Sequence, residues 1–307
     1  SKPYFASPQV AAVYSLTQVQ PNAESLARFG WDSKTDIDPG LFAALYRYKG
    51  KNLMLLRVPT YSPATPIASN LKWMKATLSQ YEKFVDGLVI DQNHNPGGAL
   101  SYVAAVAQIF MQKRGSNLVQ AFHADRRWIQ MFRFYAQYLD PTGQSEAALL
   151  YWLRSDRVRD AMDAGKDLTS PFALLGNEWL DPDTQYTWKK PLLVLADELA
   201  GSCGDIFPMY MQRNGVSRIF GERTMGLGGN VEPITGSYGL GNSLAQARLT
   251  RGMFTTVQAE GIYSDEQWVE NNGIVPDVHY THTVEDYRRG YLAYVQTFSE
   301  QLLAELE

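Results

Sequence analysis

The sequence predicts an α/β fold: a mostly parallel sheet covered by helices and interrupted by a helical insertion. Two observations carry the expectation. Short continuous apolar runs, which a strand buried on both faces requires, alternate with longer segments of helical period. The alternation then stops between about residues 115 and 189, in a stretch rich in Trp, Tyr, Arg and Asp, and resumes at Pro191. Residues 1–50 are polar and poorly periodic, with turn signals at Pro21, Asn22, Asp36, Asp38, Pro39 and Gly40, and read as an irregular N-terminal segment. Asn52–Val58 reads as a strand, Leu71–Val85 as a helix, Gly87–Asp91 as a strand and Ala99–Gln112 as a helix, a βαβα order. The insertion carries helix candidates at Trp128–Tyr138 and Gln144–Ala164. Beyond it come a strand at Pro191–Ala196, a turn at Leu199–Gly201 and a helix at Asp205–Gln212. Val216–Phe220 is a further strand, Gly221–Gly229 a glycine-rich loop, Leu244–Val257 a β-like stretch, and Val284–Glu307 an amphipathic helix. Residues 51–307 therefore form one large α/β domain, insertion included.

Composition removes several function classes. The 307 residues are 45% hydrophobic, enough for a sizeable core, and carry a net charge of −4 from 28 basic and 32 acidic side chains. No basic run or stripe with interleaved aromatics occurs, which argues against a nucleic-acid partner. No apolar stretch approaches the roughly 20 residues of a membrane span. The single cysteine, Cys203, excludes an internal disulfide and a cysteine-rich zinc site, and no histidine pair has metal-ligand spacing with a third ligand. No metal or cofactor is expected.

Three motifs carry chemistry. Ser202, in PLLVLADELAGSCGDIFPMYMQ, stands where a strand-like run gives way to a helix. A serine there presents its hydroxyl at the carboxyl edge of the sheet, and the helix N-terminus behind it offers free N–H groups and a positive dipole end suited to an oxyanion. The plainer reading of SCGD is a capping box, Ser202 bonding the helix amides while Asp205 reaches back. In LVIDQNHNPGGAL, Gly97 and Gly98 follow a proline at the end of a strand, so the backbone can approach a ligand and aim N–H groups at a carbonyl oxygen. They form half of a candidate oxyanion hole; the other half is the N–H of Cys203. A tight turn needing positive φ explains the same glycines. In QWVENNGIVPDV, Glu270 precedes an Asn-Gly turn, a position where a carboxylate is usually solvated. GERTMGLGG lacks the ending of a phosphate-binding loop.

Taken together and in this order, the motifs resemble the tail-specific and C-terminal processing serine proteases and their tricorn relatives. The DQ…NPGG and SCGD wordings are similar to those of the chlamydial protease-like activity factor branch. The resemblance spans roughly Asn52–His279 apart from the insertion. It implies a crotonase/Clp-like spiral fold, peptide-bond hydrolysis with protein or peptide substrates, Ser202 as nucleophile and Glu270 as the acid of a Ser-His-Glu site, with Glu260 ranked second and Asp265 and Glu266 also close in sequence. The lysine dyad of the tail-specific enzymes is not matched, because Leu227 stands where that lysine falls. The histidine of such relatives lies upstream of the glycine motif, and this chain has none before His94. The expectation is a fragment whose histidine lies on an N-terminal part of the same protein, with His94 the internal rival; His123, His279 and His282 read as surface or packing residues. The resemblance also implies an exported or periplasmic address and homodimerisation. Two other readings stay open: a non-catalytic peptide-binding or scaffold domain on the same fold, and a crotonase-like acyl-CoA enzyme, which shares the oxyanion logic without the serine.

Overall fold

A computed structural model describes residues 7–31, 36–140, 145–173, 179–234, 247–256 and 268–306. The chain divides into two compact units: residues 1–116, 180–227 and 271–307 form the first, and residues 117–179 and 228–270 the second.

The first unit is built on a seven-stranded sheet. In chain order its strands are β1 (Thr17–Val19), β2 (Phe42–Tyr48), β3 (Lys51–Arg57), β4 (Gly87–Asp91), β9 (Leu192–Ala196), β10 (Arg218–Gly221) and β13 (Val278–His279), and they lie side by side in that same order. β3, β4, β9, β10 and β13 are parallel, while β1 and β2 add an antiparallel edge. All five residues of β4 and of β9 are buried, as continuous apolar runs in a parallel sheet predict. Helices α1 (Pro8–Tyr14) and α9 (Leu292–Ala304) bring Val10, Tyr294, Val295, Phe298 and Leu302 into one core with Leu53, Leu55, Val89, Leu193, Leu195 and Phe220. The alternate strand residues Met54, Leu56, Leu88, Ile90 and Val194 are buried too, so the sheet is covered on both faces. Among the remaining helices, α3 (Ile67–Tyr81) packs on α4 (Leu100–Phe110), and α4 packs on α7 (Cys203–Arg213), with Phe110 edge-on to Phe207 at 6.2 Å.

Two expectations are corrected here. The first fifty residues are not irregular throughout: they form α1, β1, α2 (Ala23–Arg28) and β2. Helix α1 is capped by Ser7, and β1 pairs with β2 through Thr17–Leu45, Gln18–Ala44 and Val19–Ala43. The elements are too short to show a period, which is why pattern alone misses them. The expected helix Val284–Glu307 is two helices, α8 (Val284–Arg288) and α9, broken where Gly290 and Tyr291 both take left-handed backbone at φ 64°.

The second unit carries the insertion. Its helices α5 (Arg126–Leu139) and α6 (Glu146–Asp163) occupy the two expected positions and pack on each other. It also contains an antiparallel sheet in the order β11 (Gly229–Ile234), β12 (Ala247–Thr256), β6 (Leu118–Phe122), β7 (Phe172–Ala173). Two further two-residue strands, β5 (Gly115–Ser116) in the first unit and β8 (Trp179–Leu180) where residues 117–179 end, belong to neither of the larger sheets. The core of the second unit is aromatic: Phe122, Trp128, Phe132 and Phe172 cluster with Val158, Phe122 lying 4.5 Å from Trp128 edge-on. Among the described residues no helix is long and apolar enough to cross a membrane.

Candidate active site

The glycine motif closes β4, and each of its side chains has a partner that explains it. Asp91 is fully buried beside Arg57, its register neighbour on β3, at 3.1 Å; burial pushes its carboxyl upward and the guanidinium opposes that. Gln92 accepts from Tyr61 Oη at 3.1 Å and donates to the Gly204 carbonyl at 2.8 Å. Asn93 donates to Tyr294 Oη at 2.9 Å. Asn95 donates to the Val58 carbonyl at 3.0 Å and accepts the Gly97 N–H at 3.0 Å. Motif residues thus tie the loop to the neighbouring strand, to the helix carrying Ser202 and to α9.

Gly97 and Gly98 require their type. Both have positive φ, 98° and 146°. A Cβ on Gly97 would lie 2.6 Å from the Ser202 Cβ and 2.8 Å from the Cys203 nitrogen; one on Gly98 would lie 2.0 Å from the Tyr61 carbonyl carbon. The backbone of Gly97 therefore lies directly against the serine turn, while that of Gly98 runs beside Tyr61 in a parallel bridge.

Ser202 itself has φ 56° and ψ −119°, a sparsely populated conformation for a residue with a side chain. Its side chain makes no capping bond to α7, so the capping-box reading holds for at most one half: Asp205 accepts from the Ser202 N–H, but the serine hydroxyl does not return the favour. Cys203 is buried, its thiol donates to the Gly98 carbonyl at 3.1 Å, and burial pushes its pKa up to about 12. Gly97 N–H is engaged with Asn95; among the described residues the N–H groups of Gly98 and Cys203 have no protein acceptor.

Asp205 does more than a cap would. Fully buried on the first turn of α7, it accepts from Thr224 Oγ1 at 2.5 Å, Gly226 N–H at 2.8 Å and Leu227 N–H at 3.0 Å. Burial raises its pKa and these donors oppose the rise. Thr224 Oγ1 in turn accepts the Ile274 N–H at 2.7 Å, and Asp277 accepts the Ile219 N–H at 2.7 Å. The loop after β10 and the NNGIVPD segment are thereby fastened to the serine helix. Sequence reading missed Asp205, Thr224, Asp197 and Arg57 as organisers of the site; a buried carboxylate that serves a distant loop has no local signal.

The remaining candidates fall as follows. His94 lies in the glycine loop with Nδ1 2.7 Å from Asp197 Oδ2. His282 is packed on Tyr294 at 4.4 Å, and burial lowers its pKa; His279 is exposed near Glu222; His123 belongs to the second unit. Glu270 is half-buried in the second unit, and the segment from Asn271 onward belongs to the first. Glu260, Asp265 and Glu266 lie outside the described residues. Among those described, no group of His, Cys, Asp and Glu is arranged to hold a metal ion.

A serine in a sparsely populated backbone conformation thus stands at a strand–turn–helix junction after β9, faced by the glycine turn that follows the adjacent strand β4. The chain belongs to peptidase family S41, whose family model matches residues 52–280. It is 26% identical over 279 residues to a protein of Chlamydia trachomatis, covering 80% of this chain and 44% of that protein, and 25% identical over 258 residues to one of Chlamydia pneumoniae, covering 75% and 39%. The chain thus spans less than half the length of these relatives. Its fold is similar to that of mature CPAF, with a TM-score of 0.67 at 21% identity over 86% of this chain and 54% of that one. It is also similar to that of a putative peptidase from Parabacteroides merdae, with a TM-score of 0.56 at 17% identity over 96% and 74%.

Proposed function

We propose that this chain is the Ser202-bearing part of a serine endopeptidase. The observation that supports it most directly is the strained backbone of Ser202 at the head of α7 with Gly97 packed against it. In this reading Ser202 Oγ attacks the scissile carbonyl carbon while its proton passes to a histidine. The oxyanion accepts hydrogen bonds from the N–H groups of Cys203 and Gly98. Collapse expels the amine, which takes the proton from the imidazolium, and water then repeats the sequence on the acyl-enzyme. Gly97, named with Gly98 as a donor from the sequence, supports the hole instead by its close approach, because its own N–H serves Asn95. Glu270 orients the histidine, which comes from an N-terminal part of the same protein, and the sheet belongs to a crotonase/Clp-like spiral. Protein or peptide chains are the substrates.

The alternative reading is a non-catalytic peptide-binding or scaffold domain on the same fold. Turnover of a casein-type substrate separates the two. It is measured on this chain and, where the reading frame continues upstream, on the longer product. The expected result is residual hydrolysis by this chain and full activity in the longer protein, lost by at least about a thousandfold in Ser202→Ala. Activity that survives Ser202→Ala sinks the serine mechanism; a longer protein as inactive as this chain favours the binding domain.

A further inference from the structure

The pair formed by His94 and Asp197 is absorbed by no step above. His94 holds a left-handed backbone, φ 58°, two residues before the Pro96-Gly97-Gly98 turn. Its N–H donates to Asp197 Oδ1 at 2.8 Å, and its Nδ1 lies 2.7 Å from Asp197 Oδ2. Asp197 is 2% exposed and also accepts the Leu199 N–H at 3.2 Å. It follows β9 and opens the turn that leads to Ser202. The same two loops meet again at the next residue, where Gly201 N–H donates to the Asn95 carbonyl at 3.0 Å. One buried carboxylate therefore fixes both ends of a joint: the loop that carries Gly98 and the turn that carries Ser202.

We propose that His94 and Asp197 are a positioning pair that holds the serine turn and the glycine turn in register, so that nucleophile and oxyanion donors face one substrate carbonyl. The inference rests on the serine-peptidase reading of Ser202. His94 acts here through Asp197 and the two loops, not by taking the serine proton. The 2.7 Å approach of Nδ1 to Oδ2 adds the side chain to the joint that the backbone hydrogen bond to Oδ1 makes. Asparagine is the informative replacement at position 94: it tolerates left-handed backbone and its amide can donate to Asp197, yet it cannot serve as a general base.

The test measures hydrogen exchange on this chain and steady-state kinetics on the longer active protein of the proposed function, each with its His94→Ala, His94→Asn, Asp197→Asn and Ser202→Ala variants. In His94→Ala, exchange is expected to rise together over residues 94–99 and 198–204 by about tenfold or more, with α9 unchanged. Its kcat is expected to fall about 10- to 100-fold with KM little altered, as for a displaced but intact catalytic group. His94→Asn is expected to restore both readouts to within about threefold of the wild type. Asp197→Asn, which keeps the acceptor oxygen but loses the charge, is expected to fall between them. Faster exchange confined to one loop, or kcat unchanged while both loops loosen, overturns the proposal. Failure of His94→Asn to restore kcat despite normal exchange also overturns it, by making His94 the base. If His94→Ala does not fold, His94→Asn and Asp197→Asn carry the same comparison. Activity retained in Ser202→Ala defeats the serine reading alone, and the exchange measurement then still decides whether the pair joins the two loops.

Discussion

The two units solve the problem of a core in different ways, and the difference decides where chemistry can sit. The first unit stacks helices on both faces of a parallel sheet whose strand ends open on one edge. Three loops leave that edge, after β4, β9 and β10, and they carry the glycine motif, Ser202 and the GERTMG segment. Buried aspartates fasten them together: Asp91 at the base of the first, Asp197 and Asp205 on either side of the serine. The second unit packs one helical hairpin with aromatic rings against a four-stranded antiparallel sheet; the cluster of Phe122, Trp128, Phe132, Val158 and Phe172 dominates its core, with Gln120 and Arg154 buried in the same unit. Polar groups buried with partners fix one geometry, whereas interdigitated rings chiefly supply stability.

The comparison can be broken most directly at its two centres. Asp91→Ala leaves Arg57, 4% exposed, without its carboxylate, and is expected to cost about 3–5 kcal/mol. Chemical denaturation of the variant against wild type checks it, and a cost below about 1 kcal/mol would mean that the pair is hydrated and not the anchor described. Phe122→Ala removes the ring on which Trp128, Phe132 and Phe172 converge and is expected to cost about 3 kcal/mol. Calorimetry should then resolve an early transition for the second unit ahead of the first; a single shifted transition would show that the two units unfold as one.

The smallest effect sharpens the contrast between buried and exposed charge. Glu300 on α9 accepts from Tyr48 Oη at 2.7 Å and Lys49 Nζ at 3.0 Å, and these bonds hold its pKa at about 2. A lowered carboxylate pKa contributes stability above its ordinary range, near 4.5, and loses it as pH falls towards 2. Glu300→Gln should therefore be slightly less stable than wild type at pH 7, with the gap closing between pH 4.5 and pH 2; urea melts at both ends measure it. A gap that stays constant across this range would show that the charge of Glu300 contributes nothing. Asp91, with its pKa raised by burial, has the opposite sign: its ionisation costs stability as pH rises.

Much of the first unit was legible because its strands are buried on both faces. The runs at Asn52–Val58, Gly87–Asp91, Pro191–Ala196 and Val216–Phe220 all correspond to observed strands within a few residues. The serine and glycine motifs were legible for a related reason, since a residue that must sit at a strand end beside a turn leaves glycines around it. Strand β6 was not, because LVQAF buries Gln120 in its middle and finds its partners far along the chain, at Met253 and Ala173 among others.

The sequence by itself determined the α/β class, the order of the motifs and the kinds of residue at the candidate site, because local pattern and backbone chemistry act over a few residues. Only the tertiary structure decided which groups those residues meet. Whether Asp205 caps its own helix or holds a loop some twenty residues away, and whether His94 faces solvent or Asp197, depends on how the strand ends are brought together. The energy of a buried hydrogen bond depends on a partner's position in space, and spacing along the chain does not encode that position.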